Sequence, residues 1–160
     1  MEHLTLKQRL EMPFQPERIH WRVGATNGDK TEGLALAYLD ARDVMRRLDE
    51  ACGLKWQNRY PLASDGLLIC EIGIEIEGEW IWRSNGAGAT DVEAEKGKAS
   101  DAFKRAAVQW GIGRYLYALK NNWTPIKPQG RSYVIAQTPE LPPYATPEGY
   151  LEILKKRGDI

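Results

Sequence analysis

Three sets of residues in this sequence have types and spacings that could do chemistry. The first is cationic. Lys98, Lys104 and Arg105 lie within one stretch, with Lys96 just before them. Arg114, Lys120, Lys127 and Arg131 continue the run, and Tyr115, Tyr117 and Trp123 are interleaved with them. Cations neutralise phosphates and aromatic rings stack on bases, which is the chemistry of sequence-tolerant binding to a single strand. A solvated helix face with tyrosines packed in a core would give the same pattern. The second set is acidic: Asp65, Glu75 and Glu77. Converging carboxylates hold a divalent metal for phosphodiester hydrolysis. However, no lysine follows Glu75 or Glu77 on the same strand, and a row of charge is more often a surface feature. The third set is Gly86 and Gly88, ahead of a helix. Backbone N–H groups freed there would suit a phosphate, or would simply mark a turn.

Other chemistries are poorly provided for. Gly97-Lys98-Ala99-Ser100 has a Lys-Ala-Ser run without the preceding glycine of a phosphate-binding loop, and it falls inside a helical pattern. His3 and His20 are far apart, and Cys52 and Cys70 form no Cys-x-x-Cys pair, so no zinc site is expected. Ser64, Ser84, Ser100 and Ser132 sit in no nucleophile elbow. An ATPase, a structural zinc site and a nucleophilic hydrolase are therefore poorly supported.

The elements that must position these residues follow from periodicity. Residues 4–12 suit a short helix stopped by Pro13 and Pro16. Arg18–Val23 alternates as a strand, residues 25–33 read as a turn-rich loop, and Leu34–Leu39 suits a second strand. Asp40 is placed to cap a helix over Ala41–Ala51, with Val44, Leu48 and Ala51 on its apolar side and Gly53 ending it. Trp56–Pro61 suits a third strand. In Gly66–Arg83, Ile72, Ile74 and Ile76 alternate with Glu71, Gly73, Glu75 and Glu77. Glu77-Gly78-Glu79 is either a hairpin turn or a bulge. Thr90 and Glu93 have capping-box spacing for a helix through Trp110. On it Ala99, Phe103, Ala106 and Trp110 share one stripe, and the cations lie on the far side. Gly111 and Gly113 interrupt the helix before Arg114–Leu119. Trp123–Ile126 and Tyr133–Ala136 read as a last strand pair, the four prolines of residues 138–147 as a linker, and Glu148–Arg157 as a terminal helix.

The 160 residues are one domain's worth of chain, and 42% hydrophobic content can build a core. No apolar run reaches the length of a membrane span, about 18 residues. The N-terminus lacks a signal-peptide core, and two cysteines fit a reducing compartment. Net charge is zero, but it is segregated. Residues 71–95 hold seven acids and one base, and residues 96–131 hold eight bases and one acid. A partner meets the local field, not the total.

The segment Glu93-Ala94-Glu95-Lys96-Gly97-Lys98-Ala99-Ser100-Asp101-Ala102-Phe103-Lys104-Arg105-Ala106-Ala107, followed by Trp110-Gly111-Ile112-Gly113-Arg114-Tyr115-Leu116-Tyr117, resembles the signature helix of the Rad-fifty-two/Rad-twenty-two single-strand annealing family. Tyr38-Leu39-Asp40-Ala41-Arg42 ahead of a helix, and the acidic strand ending in Gly78-Glu79-Trp80, are also similar. The likeness covers roughly residues 18–126. It is nearest to the DNA damage response branch of radiation-resistant bacteria and to related phage proteins. The resemblance implies an α+β fold in which an antiparallel sheet or hairpin packs on a long helix, a β-β-β-α core, assembled as a homo-oligomeric ring. It implies a basic groove holding single-stranded DNA by its backbone, in end protection, strand annealing or both, with no nucleotide cofactor and no catalytic residue. Lys104 and Arg105 match the groove's Lys-Arg pair. A family arginine falls near Arg22, with Arg18 as the alternative because the loop after it is long. Lys96, Lys98, Arg83 and Arg114 are further candidates. Val108 stands where the eukaryotic branch has another arginine, which lowers the groove's charge. On this reading residues 1–137 form the single-stranded-DNA-binding and oligomerisation domain, and 138–160 a Pro-rich linker with a short terminal helix. The expected setting is the cytoplasm of a bacterial or phage-infected cell, at the nucleoid and away from membranes. The alternative from another class is a metal-dependent nuclease using Asp65, Glu75 and Glu77.

Overall fold

The computed structural model describes residues 3–61, 66–88 and 94–160. The fold is α+β, with antiparallel sheets and four α-helices among the described residues. The chain divides into two compact units, residues 1–12 with 41–114 and residues 13–40 with 115–160.

In the first unit α1 spans Leu6–Glu11 and α2 spans Ala41–Cys52. Thr5 opens α1 with a capping box: its hydroxyl accepts from Gln8 N at 3.1 Å, and Gln8 Oε1 accepts from Thr5 N at 2.9 Å. Helix α2 buries Val44, Leu48 and Ala51 as its spacing predicts. It also buries Arg47, whose guanidinium donates to the carbonyls of Leu10 and Met12. Those carbonyls lie at the end of α1, where helical partners have run out.

Strands β3 (Trp56–Arg59), β4 (Leu68–Ile76) and β5 (Glu79–Ala87) form an antiparallel sheet in that order. The choice between hairpin and bulge resolves as a hairpin. Ile76 pairs with Glu79, leaving a two-residue turn with φ of 52° at Glu77 and 83° at Gly78. Two positive φ angles define the turn type whose twist matches paired strands. Strand β5 continues through Gly86 and Ala87, which the sequence reads as a hinge; Gly86 pairs with Ile69.

Helix α3 (Ala94–Gln109) packs on the sheet face that carries Cys70, Ile72 and Ile74. Phe103, Ala106 and Trp110 are buried as expected, together with Ala102 and Ala107. Trp110 Nε1 donates to Ile72 O at 2.9 Å, and the Phe103 and Trp56 rings lie 6.2 Å apart. Ala99 is exposed, contrary to expectation. Its angle on the helix suits the stripe, but a stripe is buried only as far along the axis as its cover reaches. The helix ends in a Schellman motif: Gly111 at φ 94°, Gly111 N to Val108 O at 2.9 Å, and Ile112 N to Ala107 O at 3.1 Å. The Thr90–Glu93 capping box falls outside the described residues.

The second unit holds β1 (His20–Thr26), β2 (Glu32–Tyr38), β6 (Trp123–Gln129) and β7 (Ser132–Ile135), all antiparallel in the order β1-β2-β6-β7. The expected loop of residues 25–33 shrinks to 27–31. Ala25 and Thr26 stay in β1 through an irregular register, and Asn27 Oδ1 closes the turn on the N–H groups of Thr31 and Glu32, at 2.9 and 3.0 Å. Arg18 lies in a 3₁₀ turn, Pro16–Arg18, before β1. The proline-rich stretch is fastened down. Arg114–Ala118, expected as helix, and Pro143–Ala145 are further 3₁₀ turns, Tyr144 Oη donates to Ala118 O at 3.0 Å, and Thr146 caps α4 (Pro147–Arg157). No described helix is long and apolar enough to cross a membrane.

Candidate nucleic-acid interface

Burying Phe103, Ala106 and Trp110 turns the opposite side of α3 outward, and the cations are there. Arg105 is exposed; Lys98 and Lys104 are half-buried. Lys98 and Arg105 are seven residues apart, so they share a row, and Lys104 flanks it on the far face. Lys96 lies in the first turn of α3, its side chain outside the described residues.

Arg105 is held in place. Its Nε donates to Asp101 Oδ2 at 3.1 Å, and both side chains are half exposed. Such pairs are worth little to stability, but this one sets a carboxylate beside the cation that a phosphate would seek. Asp101→Asn is therefore expected to raise affinity for a single-stranded oligonucleotide by roughly two- to fivefold at low salt, the equivalent of a surface pair. Fluorescence anisotropy would check it. The gain should fade at high salt as screening sets in; an unchanged affinity would mean that Arg105 is not at the interface.

Arg83 and Arg114 sit elsewhere, at the C-terminal end of α3. Arg83 Nη1 donates to Gln109 O at 2.8 Å, and its guanidinium lies 4.3 Å from the Trp110 ring centroid. Arg114 donates to Val108 O at 2.9 and 3.1 Å and to Gln109 O at 3.0 Å, and approaches Glu11 at 3.9 Å. These carbonyls are the negative end of the helix dipole, so both arginines stabilise the end of α3. Sequence reasoning missed that role because the carbonyls become acceptors only once the helix stops. Arg22 belongs to the second unit, exposed on β1 opposite Leu36.

The aromatic residues separate as well. Tyr115 is anchored, its hydroxyl accepting from Phe14 N at 3.0 Å, while Tyr117 is 73% exposed.

The acidic set does not assemble among the described residues. Asp65 lies outside them, Glu75 is half-buried on β4, and Glu77 is in the β4–β5 turn. No group of three or more His, Cys, Asp or Glu among the described residues could hold a metal ion. Burial pushes the Cys70 thiol up to about 11 and raises that of Cys52, so neither supplies a ready thiolate.

A family model described as Rad52/22 family double-strand break repair protein matches residues 2–133. The single-stranded DNA-binding protein DdrA of Deinococcus deserti is 36% identical over 156 residues, covering 92% of this chain and 73% of that protein. The single-stranded DNA-binding protein DdrA of Deinococcus radiodurans is 35% identical over 156 residues, covering 92% of this chain and 71% of that protein. No solved structure matches.

Proposed function

The chain belongs to the Rad52/22 family of double-strand break repair proteins, and from that premise we propose that it binds single-stranded DNA by its phosphates along the outward side of α3. The supporting observation is that α3 presents Lys98, Lys104 and Arg105 opposite a stripe that fixes its orientation. Backbone contacts carry no base information, so binding is sequence-tolerant. It protects DNA ends, promotes annealing, or does both, without a catalytic step. Residues 1–137 carry binding and assembly. The protein works at the nucleoid, in the cytoplasm of a bacterial or phage-infected cell. Arg22 is a further phosphate contact.

Assembly is a homo-oligomeric ring. An acidic segment followed by a basic one gives each copy two unlike surfaces, and a head-to-tail contact between unlike surfaces closes a ring when its rotation permits.

The test is particle mass with and without a single-stranded oligonucleotide, alongside affinity over a salt series. A multimer is expected, with log K falling against log salt by about 0.7 per phosphate neutralised, equally for poly-dT and mixed sequence. Affinity indifferent to salt would sink the phosphate reading. Cleavage that needs a divalent metal would favour the nuclease.

A further inference from the structure

The three-stranded sheet of the first unit has two faces, and α3 covers one. The other carries Arg59, Glu71, Gly73, Glu75, Trp80 and Trp82, as the pairings Gly73↔Trp82, Glu75↔Trp80 and Arg59↔Glu71 require. Trp80 keeps 41% of its surface exposed. The two indole rings lie 6.3 Å apart. Trp82 lies across Gly73, where a Cβ would come within 2.8 Å of its ring, and the Arg59 guanidinium sits 3.8 Å from its centroid. Glu71 holds that guanidinium at 3.1 Å. The indole is thus locked between a bare backbone and a tethered cation. Aromatic anchors fixed before association lose little freedom on binding, and tryptophan is prominent among residues that dominate interfaces.

The electrostatics select the occupant. Glu71 and Glu75 lie on this face, Glu77 and Glu79 at its hairpin end, and Arg59 is the face's cation. A phosphate backbone is repelled here and a basic surface is attracted. This chain contains such a surface: it has no acid between Asp101 and Glu140. Within that stretch the β6–β7 hairpin exposes Lys127 and Arg131, and Trp123 is 49% exposed. We infer that the Trp80–Trp82 face of one copy receives the basic β6–β7 hairpin of a second copy. The inference rests on the proposed ring and supplies its repeating contact. It leaves the outward side of α3 to DNA.

The experiment measures particle mass across a concentration series for the whole chain, with circular dichroism and a thermal melt to confirm folding. Trp80→Ala should raise the apparent dissociation constant of the assembly by roughly thirtyfold, the effect of truncating an interface hot spot. Glu75→Lys with Glu77→Lys should also disperse the assembly, and so should Lys127→Glu with Arg131→Glu. Combining the two charge reversals should restore it, an outcome that a folding defect would not produce. A monomeric wild type would remove the ring and this contact together. A wild-type assembly that survives both charge reversals would leave the ring standing and overturn this contact. Dispersal by each reversal without rescue in the combination would overturn the pairing with the β6–β7 hairpin.

Discussion

Phe103→Ala is expected to lower the stability of the protein by roughly 3–5 kcal/mol, the usual cost of deleting a buried phenyl ring. Phe103 is 1% exposed, and it faces Ile72 and Ile74, which are 0% and 1% exposed. Its ring lies 6.2 Å from that of Trp56 on the edge strand β3, and at 1% exposure the truncation opens a void between helix and sheet. Alanine is a good helix former, so the loss reports packing and not propensity. Chemical denaturation measures it as a shift of the midpoint at constant slope. The same measurement on Ser100→Ala, exposed on the same helix, should move by no more than about 0.5 kcal/mol, as surface positions do. If Phe103→Ala behaved like the surface variant, α3 would be turned the other way and Lys104 and Arg105 could not face a ligand.

That dependence of site on core also explains what was legible in the sequence. The orientation of α3 follows from Phe103, Ala106 and Trp110 alone, because period 3.6 fixes which side is buried. The far side, with Lys104 and Arg105, comes with it. How far the burial extends is set by the sheet, so Ala99 is exposed although its angle is right. The strand alternation around Ile72 and Ile74 was equally direct. The turn was not, because Glu77 takes a left-handed conformation that its residue type does not announce. Arg47 shows the deeper limit. Its position on the buried side of α2 conflicts with its charge until the end of α1 supplies two carbonyls from more than thirty residues earlier. Arg83 and Arg114 are the same case on the surface. Their charge is visible in the sequence, and their acceptors, the last carbonyls of α3, are a product of folding. By contrast the Asp101–Arg105 pair has a four-residue spacing that could have announced it, but Arg105 was counted only among the cations.

Replacing Lys104 and Arg105 together by alanine should nearly eliminate single-strand binding while leaving the fold and the assembly in place. The two side chains lie on the side of α3 away from its buried stripe, so their loss costs no core. Each phosphate contact removed should lower the salt slope of log K by about 0.7, and two contacts by about twice that. In a ring the loss recurs in every subunit, so the effect on a strand spanning several copies is multiplied. Arg105 already shares its guanidinium with Asp101, and a phosphate has to compete for it. Arg83→Ala and Arg114→Ala provide the contrast. They strip the cations from the C-terminal end of α3, so they should lower the melting temperature while leaving most of the salt slope intact. The discriminating design measures affinity over a salt series beside particle mass and a thermal melt. An equal loss for poly-dT and mixed sequence places the contacts on the backbone. A loss confined to one sequence would instead mean base readout. Undiminished affinity in an intact, assembled double variant would move the DNA path off α3 altogether.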